Sequence, residues 1–340
     1  MKFGLLSADY QHTSLANLEK VFLSKDHITH LLNTLKPIES IKEIVILSTC
    51  NRVEIYFVSN TPQEAASEIK KAIANFRGIN PKELDPIFSV HNDPDEVLTH
   101  LFDVVSGLKS MVFGETEILG QVKAAYDISH QNGFTGATFN KLFQTAIATG
   151  KRVRHETDIS KGAYSISSIA IDGIKSNIKD FKNKHILIVG AGTMALRAIK
   201  KLAALGHTKL SISNRGEDKL NRISKKYGIH IIPYEQWISQ LDTLDIVIMA
   251  TGSEHYLLDK TAQTPEMVVD LGVPRNVNPN VSENTGTQLL SLYNLQEIAD
   301  KTIHKRKKAL DKIATILDEE KAKLCKWHEY KENACQKQSA

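Results

Sequence analysis

One thiol in this sequence is set among polar side chains between two apolar runs, a setting in which it could make and break a covalent bond. Ser48-Thr49-Cys50-Asn51-Arg52 lies between the strand-like runs 44–47 and 53–58. The thiolate is the nucleophilic form of cysteine, and a guanidinium two residues away favours it. This spacing predicts a nucleophile at a strand end. A buried structural thiol is the alternative, and the spacing alone leaves both open.

A second constellation points to a dinucleotide. The apolar run 186–189 leads into Gly190-Ala191-Gly192-Thr193-Met194-Ala195, which opens a helical pattern. This is the GxGxxG/A arrangement in its strand–turn–helix setting. Gly190 permits the tight turn, Gly192 lets the backbone approach a pyrophosphate at the positive helix end, and Ala195 allows close helix–strand packing. The next strand ends at Asn214-Arg215, where an NAD site usually carries an acid for the ribose 2′-hydroxyl. A guanidinium suits a 2′-phosphate, so NADP(H) is favoured over NAD. The plainer reading is that Arg215 faces solvent at a loop start.

The elements that must position these groups fall into three stretches. Residues 1–155 read as a small α+β domain: a strand at 2–6, one amphipathic helix over 15–35, the two strands around Cys50, then mostly helical pattern at 62–76 and 93–154. Residues 165–290 alternate strand and helix as a doubly wound parallel sheet requires, with strands expected in HILIVG, KLSISN, DIVIMA and MVVDLG. Residues 295–340 read as one long helix. In it Ile303, Leu310, Leu317 and Leu324 fall seven apart, Ile313 and Trp327 sit at d positions, and Arg306 and Glu320 interrupt the d series. That pattern fits a dimerisation helix and a helix packed on its own subunit equally well. The fold class is therefore α/β: an α+β domain, a Rossmann-like domain and a long C-terminal helix.

The bulk properties are those of an ordinary soluble globular protein. The 340 residues are 41% hydrophobic and 24% charged, enough for two cores. No apolar run is long enough to span a membrane, and the start shows no signal peptide. Three cysteines at these spacings match neither a disulfide framework nor a zinc site, so no metal is expected and a reducing cytoplasm fits best. Net charge is +4, but residues 301–340 hold 11 Lys or Arg against 6 Asp or Glu. Such a basic end could touch RNA or could simply be a solvated helix face.

Several blocks together resemble one family. STCNRVEIY (48–56), SGLKSMVFGETEILGQVKAAY (106–126), GKRVRHETDISKGAYSISSIA (150–170), the nucleotide fingerprint and VVDLGVPRNVNPNV (268–281) are similar, in order and spacing, to the glutamyl-tRNA reductases. The resemblance implies NADPH-dependent reduction of glutamyl-tRNA(Glu) to glutamate-1-semialdehyde through a cysteine thioester, the first step of five-carbon tetrapyrrole biosynthesis. It implies Cys50 as nucleophile, His100 as the histidine assisting catalysis, and Thr49, Asn51, Arg52, Ser110, Glu115, Thr116, Glu117 and Gln121 as substrate contacts. Arg52 is the candidate for gripping a glutamyl carboxylate. Without the family, His100 among Leu98, Leu101 and Phe102 reads as a satisfied core histidine. A homodimer, and hand-off of the aldehyde to glutamate-1-semialdehyde aminomutase, are implied too. This chain departs from the family pattern at Lys109, where an acid is frequent, and at Thr116-Glu117, where Pro-Gln is usual. The competing readings are a regulatory homologue that binds NADPH or tRNA without turnover, and a shikimate-dehydrogenase-like reductase of a free small molecule.

Overall fold

The computed structural model describes residues 2–157, 159, 165–259, 265–282, 286–292, 294–295 and 309–338, with side chains described as far as residue 327 in the last helix. The chain forms two compact units. One joins Met1–Ala163 to Ile303–Ala340, and the other is Tyr164–Thr302.

The first unit is built on an antiparallel sheet of β1 (Lys2–Asp9), β2 (Glu43–Ser48), β3 (Arg52–Ser59) and β4 (Ser89–His91), in the order β2-β3-β1-β4. Side chains alternate across each strand, so both faces must be covered. Leu6, Ile44, Ile46, Val53, Ile55 and Phe57 face helices α1 (Leu15–Val21), α2 (Lys25–Leu35) and α3 (Pro62–Arg77). Phe3, Leu5, Val45, Leu47, Tyr56 and Val58 face α4 (Pro94–Ser106), α5 (Glu117–Gln131) and α6 (Ala137–Glu156). The single helix expected over 15–35 is in fact two. The backbone turns extended at Phe22 and Ser24, and the hydroxyl of Ser24 accepts the His27 N–H to cap a new helix.

The C-terminal helix α10 (Leu310–Gln338) belongs to this unit. Ile313, Ile316, Leu317 and Leu324 are buried in the same core as α4 and α6. Arg152 of α6 reaches Glu319 and Glu320 at 2.7 and 2.9 Å. Of the described heptad positions, Ile313, Leu317 and Leu324 are thus covered by their own chain, whereas Leu310 is exposed. Ile303 and Arg306, read as part of that heptad, lie outside the described residues.

The second unit carries a six-stranded, wholly parallel sheet: β5 (Ile186–Val189), β6 (Leu210–Ser213), β7 (His230–Ile231), β8 (Ile246–Met249), β9 (Met267–Asp270) and β10 (Gln288–Ser291). Its order, β10-β9-β8-β5-β6-β7, is that of the doubly wound dinucleotide-binding sheet. The four strands expected from sequence are present, and the edges β7 and β10 are additional. Helices α7 (Ile166–Asn177), α8 (Thr193–Ala204) and α9 (Glu217–Tyr227) accompany the sheet.

Candidate functional site

Cys50 sits at the tip of the hairpin between β2 and β3. Ser48 pairs with Val53, and the Thr49 N–H donates to the Arg52 carbonyl at 2.8 Å, leaving Cys50 and Asn51 as the two turn residues. Thr49 is buried, and its hydroxyl accepts the Asn51 N–H at 3.2 Å, so it shapes the turn. The Asn51 carbonyl is held by the Tyr10 N–H at 3.0 Å, which ties the tip to the end of β1.

From this turn β3 sends Arg52, Glu54 and Tyr56 to one face, the face that meets α4. All three are almost wholly buried. The Arg52 guanidinium donates to Glu54 Oε1 at 2.6 Å and also to the carbonyl of Lys109. The Tyr56 hydroxyl donates to Glu54 Oε2 at 2.7 Å, and His100 Nε2 lies 2.8 Å from Glu54 Oε1. Burial alone would raise the Glu54 carboxyl, but Arg52, His100 and the hydrogen bonds hold it well below the usual carboxylate range. The same surroundings drive the Tyr56 phenol well above its ordinary value, through burial first and Glu54 second.

Arg52 therefore departs from expectation. A guanidinium free to grip a substrate carboxylate was anticipated; here it is committed to Glu54 and to the loop backbone. The thiol departs in the same way. Cys50 is half-buried, and its thiol is pushed up to about 12, first by burial and then by the charge of Glu115, with Arg52 only partly opposing. Burial and Glu115 together outweigh the thiolate-favouring influence of Arg52.

The loop after α4 supplies the remaining groups. Gly107 closes the helix in a left-handed conformation, with the Leu108 N–H donating to Asp103 and the Gly107 N–H to Val104. Gly114, also left-handed at φ 77°, has no room for a side chain: a Cβ there would stand 2.3 Å from the Ile159 carbonyl oxygen. Arg154 of α6 fastens both ends of the loop. Its guanidinium donates to Val105 at 2.6 Å, Gly150 at 2.8 Å and Glu115 at 2.9 Å, all at carbonyl oxygens. Within this loop Ser110 is buried and its hydroxyl has no protein partner, so it is available to a ligand. Glu115 acts electrostatically on Cys50. Thr116 is the exposed residue preceding α5, Glu117 is the first residue of that helix, and the half-buried Gln121 follows one turn on. The Lys109 side chain turns to His100, with Nζ 3.0 Å from Nδ1. The structure thus brings Cys50, Arg52, His100, Lys109 and Glu115 into one neighbourhood. Sequence reasoning missed Glu54, Tyr56 and the direction of Lys109.

The second unit places the fingerprint residues as a dinucleotide site requires. Gly190 adopts φ 115°, and a Cβ there would lie 2.3 Å from the Ala250 carbonyl oxygen. Gly192 precedes α8, whose first turn has no side-chain cap, so its N–H groups remain available to an anion. Ala191 and Ala195 are buried, Met194 is half-buried and Thr193 is exposed. Asn214 Nδ2 donates to the Gly216 carbonyl at 3.1 Å, and the exposed Arg215 guanidinium lies 5.2 Å from the Tyr234 ring centroid. The residues fit a dinucleotide, and the exposed cation beyond β6 fits a 2′-phosphate on it. Among the described residues no helix is long and apolar enough to cross a membrane.

Comparison with known proteins places these geometries in context. The family model described as "Glutamyl-tRNAGlu reductase, N-terminal domain" matches residues 6–157, and that for "Shikimate / quinate 5-dehydrogenase" matches residues 172–298. The chain is 36% identical over 319 residues to the glutamyl-tRNA reductase of Desulfitobacterium hafniense, covering 91% of this chain and 72% of that protein. It is 37% identical over 325 residues to that of Thermodesulfovibrio yellowstonii, covering 91% and 76%. Among solved structures, the glutamyl-tRNA reductase of Methanopyrus kandleri is similar with a TM-score of 0.53 and 26% identity, covering 96% of this chain and 80% of that one.

Proposed function

The chain belongs to the glutamyl-tRNA reductase family, and from that membership we propose that it reduces the glutamyl group of glutamyl-tRNA(Glu) to glutamate-1-semialdehyde through a thioester on Cys50. The observation that carries this reading is the hairpin turn itself, which presents Cys50 beside Glu115, with Arg52, His100 and Lys109 behind it.

In the first step a C–S bond forms at the ester carbonyl, the C–O bond to the tRNA ribose breaks, and the thiol proton ends on the released ribose hydroxyl. A thiol near 12 gives up that proton reluctantly, and Glu115 contributes to the reluctance. An α-ammonium held against Glu115 would offset that charge. The substrate thus activates its own nucleophile. In the second step hydride reaches the thioester carbon, the C–S bond breaks with its electrons going to sulfur, and sulfur takes up a proton. Ser110 and Gln121 are assigned to the substrate's polar groups, and Thr49 and Asn51 shape the turn that carries the sulfur.

NADPH, when bound, supplies the hydride. Gly190 to Ala195 would hold its pyrophosphate and Asn214 with Arg215 its 2′-phosphate end; the turn geometry and the absence of an acid at 214 or 215 support this. The reaction is assigned to the cytoplasm. Hand-off to glutamate-1-semialdehyde aminomutase is supported by the reactivity of a free amino aldehyde. A homodimer, part of the same reading, would use a surface other than the buried stripe of α10.

The test is to incubate the protein with glutamyl-tRNA(Glu) and NADPH and follow the semialdehyde, in wild type and Cys50→Ser. Product from wild type only, and a glutamyl adduct on Cys50 when NADPH is omitted, are expected. Equal turnover by both proteins would refute the thioester route. Binding without turnover by wild type would mark a regulatory homologue, and reduction of a free small molecule without tRNA would mark a dehydrogenase.

A further inference from the structure

His100 has no unengaged ring nitrogen. Nε2 lies 2.8 Å from Glu54 Oε1, and Nδ1 lies 3.0 Å from the ammonium of Lys109. An ammonium offers only donors, so the nitrogen it meets must offer a lone pair. Nδ1 is then unprotonated, and the single ring proton sits on Nε2, donated to Glu54.

We propose that Lys109 is a positioning residue for His100: it fixes the imidazole as the neutral Nε2–H tautomer and closes its Nδ1 edge, so that any proton passing between His100 and the reacting atoms through that edge must go by way of the ammonium. Lys109 is suited to this because it is pinned twice. Its carbonyl accepts from Arg52, two residues beyond Cys50, and its side chain is held by the imidazole. A residue fastened at both points keeps the hairpin, the loop and α4 in one register.

Several titratable groups face the ring. From β3 come Arg52, Glu54 and Tyr56, already paired among themselves. From β4 comes His91, whose ring stacks on that of His100 with centroids 6.3 Å apart. On α4 itself lies Asp103, on which Lys109, His100 and Lys321 of α10 all act. Glu54 Oε1 serves both Arg52 and His100.

The proposal rests on the reductase reading for its role in catalysis, but the tautomer can be observed without turnover. Label the full chain with 15N-histidine and record imidazole nitrogen spectra, assigning His100 by the signals lost in His100→Asn. The wild type is expected to show an unprotonated Nδ1 and a protonated Nε2. Lys109→Arg, which keeps a donor, should preserve the pattern. Lys109→Met should release the ring to a mixture of tautomers, and Lys109→Asp should place a proton on Nδ1. A protonated Nδ1 in the wild type, or a spectrum unchanged in Lys109→Met, overturns the proposal. The wild-type spectrum decides even if a variant fails to fold. In turnover on glutamyl-tRNA(Glu), Lys109→Met should lose on the order of ten- to a hundredfold in kcat with little change in KM, and Lys109→Arg should recover most of it. Unchanged kcat in Lys109→Met would overturn the catalytic part. Failure of the wild type to reduce the substrate would count against the reductase reading and leave the spectra to judge Lys109.

Discussion

The thiol of Cys50 should resist alkylation in a way that its chemistry as a nucleophile does not suggest. Its ionisation is pushed up to about 12, against 9.0 for an ordinary thiol. Three pH units mean that, at any pH well below both values, the thiolate is roughly a thousandfold rarer than in a free cysteine. Near pH 8 that is ~0.01% against ~10% ionised. The measurement is the rate of iodoacetamide modification of the Cys50 peptide from about pH 7 to pH 11, read by mass spectrometry, with a rate still rising at the top of that range expected for a midpoint of about 12. Cys325, which is exposed, serves as a reporter in the same tube. Limited access would lower the rate evenly across pH, whereas raised ionisation moves the midpoint, so the midpoint decides. Glu115→Gln removes the second largest influence on the thiol and should raise the Cys50 rate at fixed pH. A midpoint at or below 9 in the unliganded protein, or no response to Glu115→Gln, would refute the reasoning.

Glu54→Gln should destabilise the first unit by about 3–5 kcal/mol in urea unfolding, because it leaves the Arg52 guanidinium buried without its counter-charge. Since the folded Glu54 carboxyl lies below its ordinary 4.5, its contribution is complete above that value and is lost as pH falls beneath it; acid should therefore destabilise wild type more steeply than the variant. Gly114→Ala, at φ 77° and with its new Cβ 2.3 Å from a carbonyl oxygen, should cost several kcal/mol and abolish turnover, whereas Gly78→Ala, at φ 65° in open space, should cost only about 1 kcal/mol, both read from urea midpoints. Ile313→Ala in α10 should cost about 2–5 kcal/mol in the same assay, and no change would mean that the last helix is not part of that core.

Much of this was legible in the chain. Short apolar runs located β2, β3 and the hairpin turn between them, because a strand with both faces covered leaves little ambiguity about where polar residues interrupt it. The nucleotide unit followed from one glycine-rich turn and the alternation around it, both local properties. What escaped was long-range. Arg52 was visible as a cation two residues from Cys50, but the Glu54 that neutralises it was read as part of a strand. The parity was there to be used: residues 52, 54 and 56 fall on one face between Val53, Ile55 and Phe57, so that face carries polar groups in a place that packing must bury. Lys109 could not be aimed from sequence, since its path to His100 depends on a loop whose shape is set by Gly107, Gly114 and Arg154. The break within 15–35 hinged on Ser24, a cap signal overlooked inside an apolar periodicity.

Arg154 has a further consequence for how substrate is received. A ten-residue surface segment normally surrenders its freedom when a ligand arrives, and the ordering cost is deducted from affinity. Here one guanidinium, bonded to the Val105 and Glu115 carbonyls at the two ends of the segment and to Gly150 of its own helix, has already fastened that segment during folding. On the proposed function, a glutamyl group would meet a rim whose conformational entropy was surrendered beforehand, so its few polar contacts could go toward selecting glutamate rather than toward assembling the surface that recognises it.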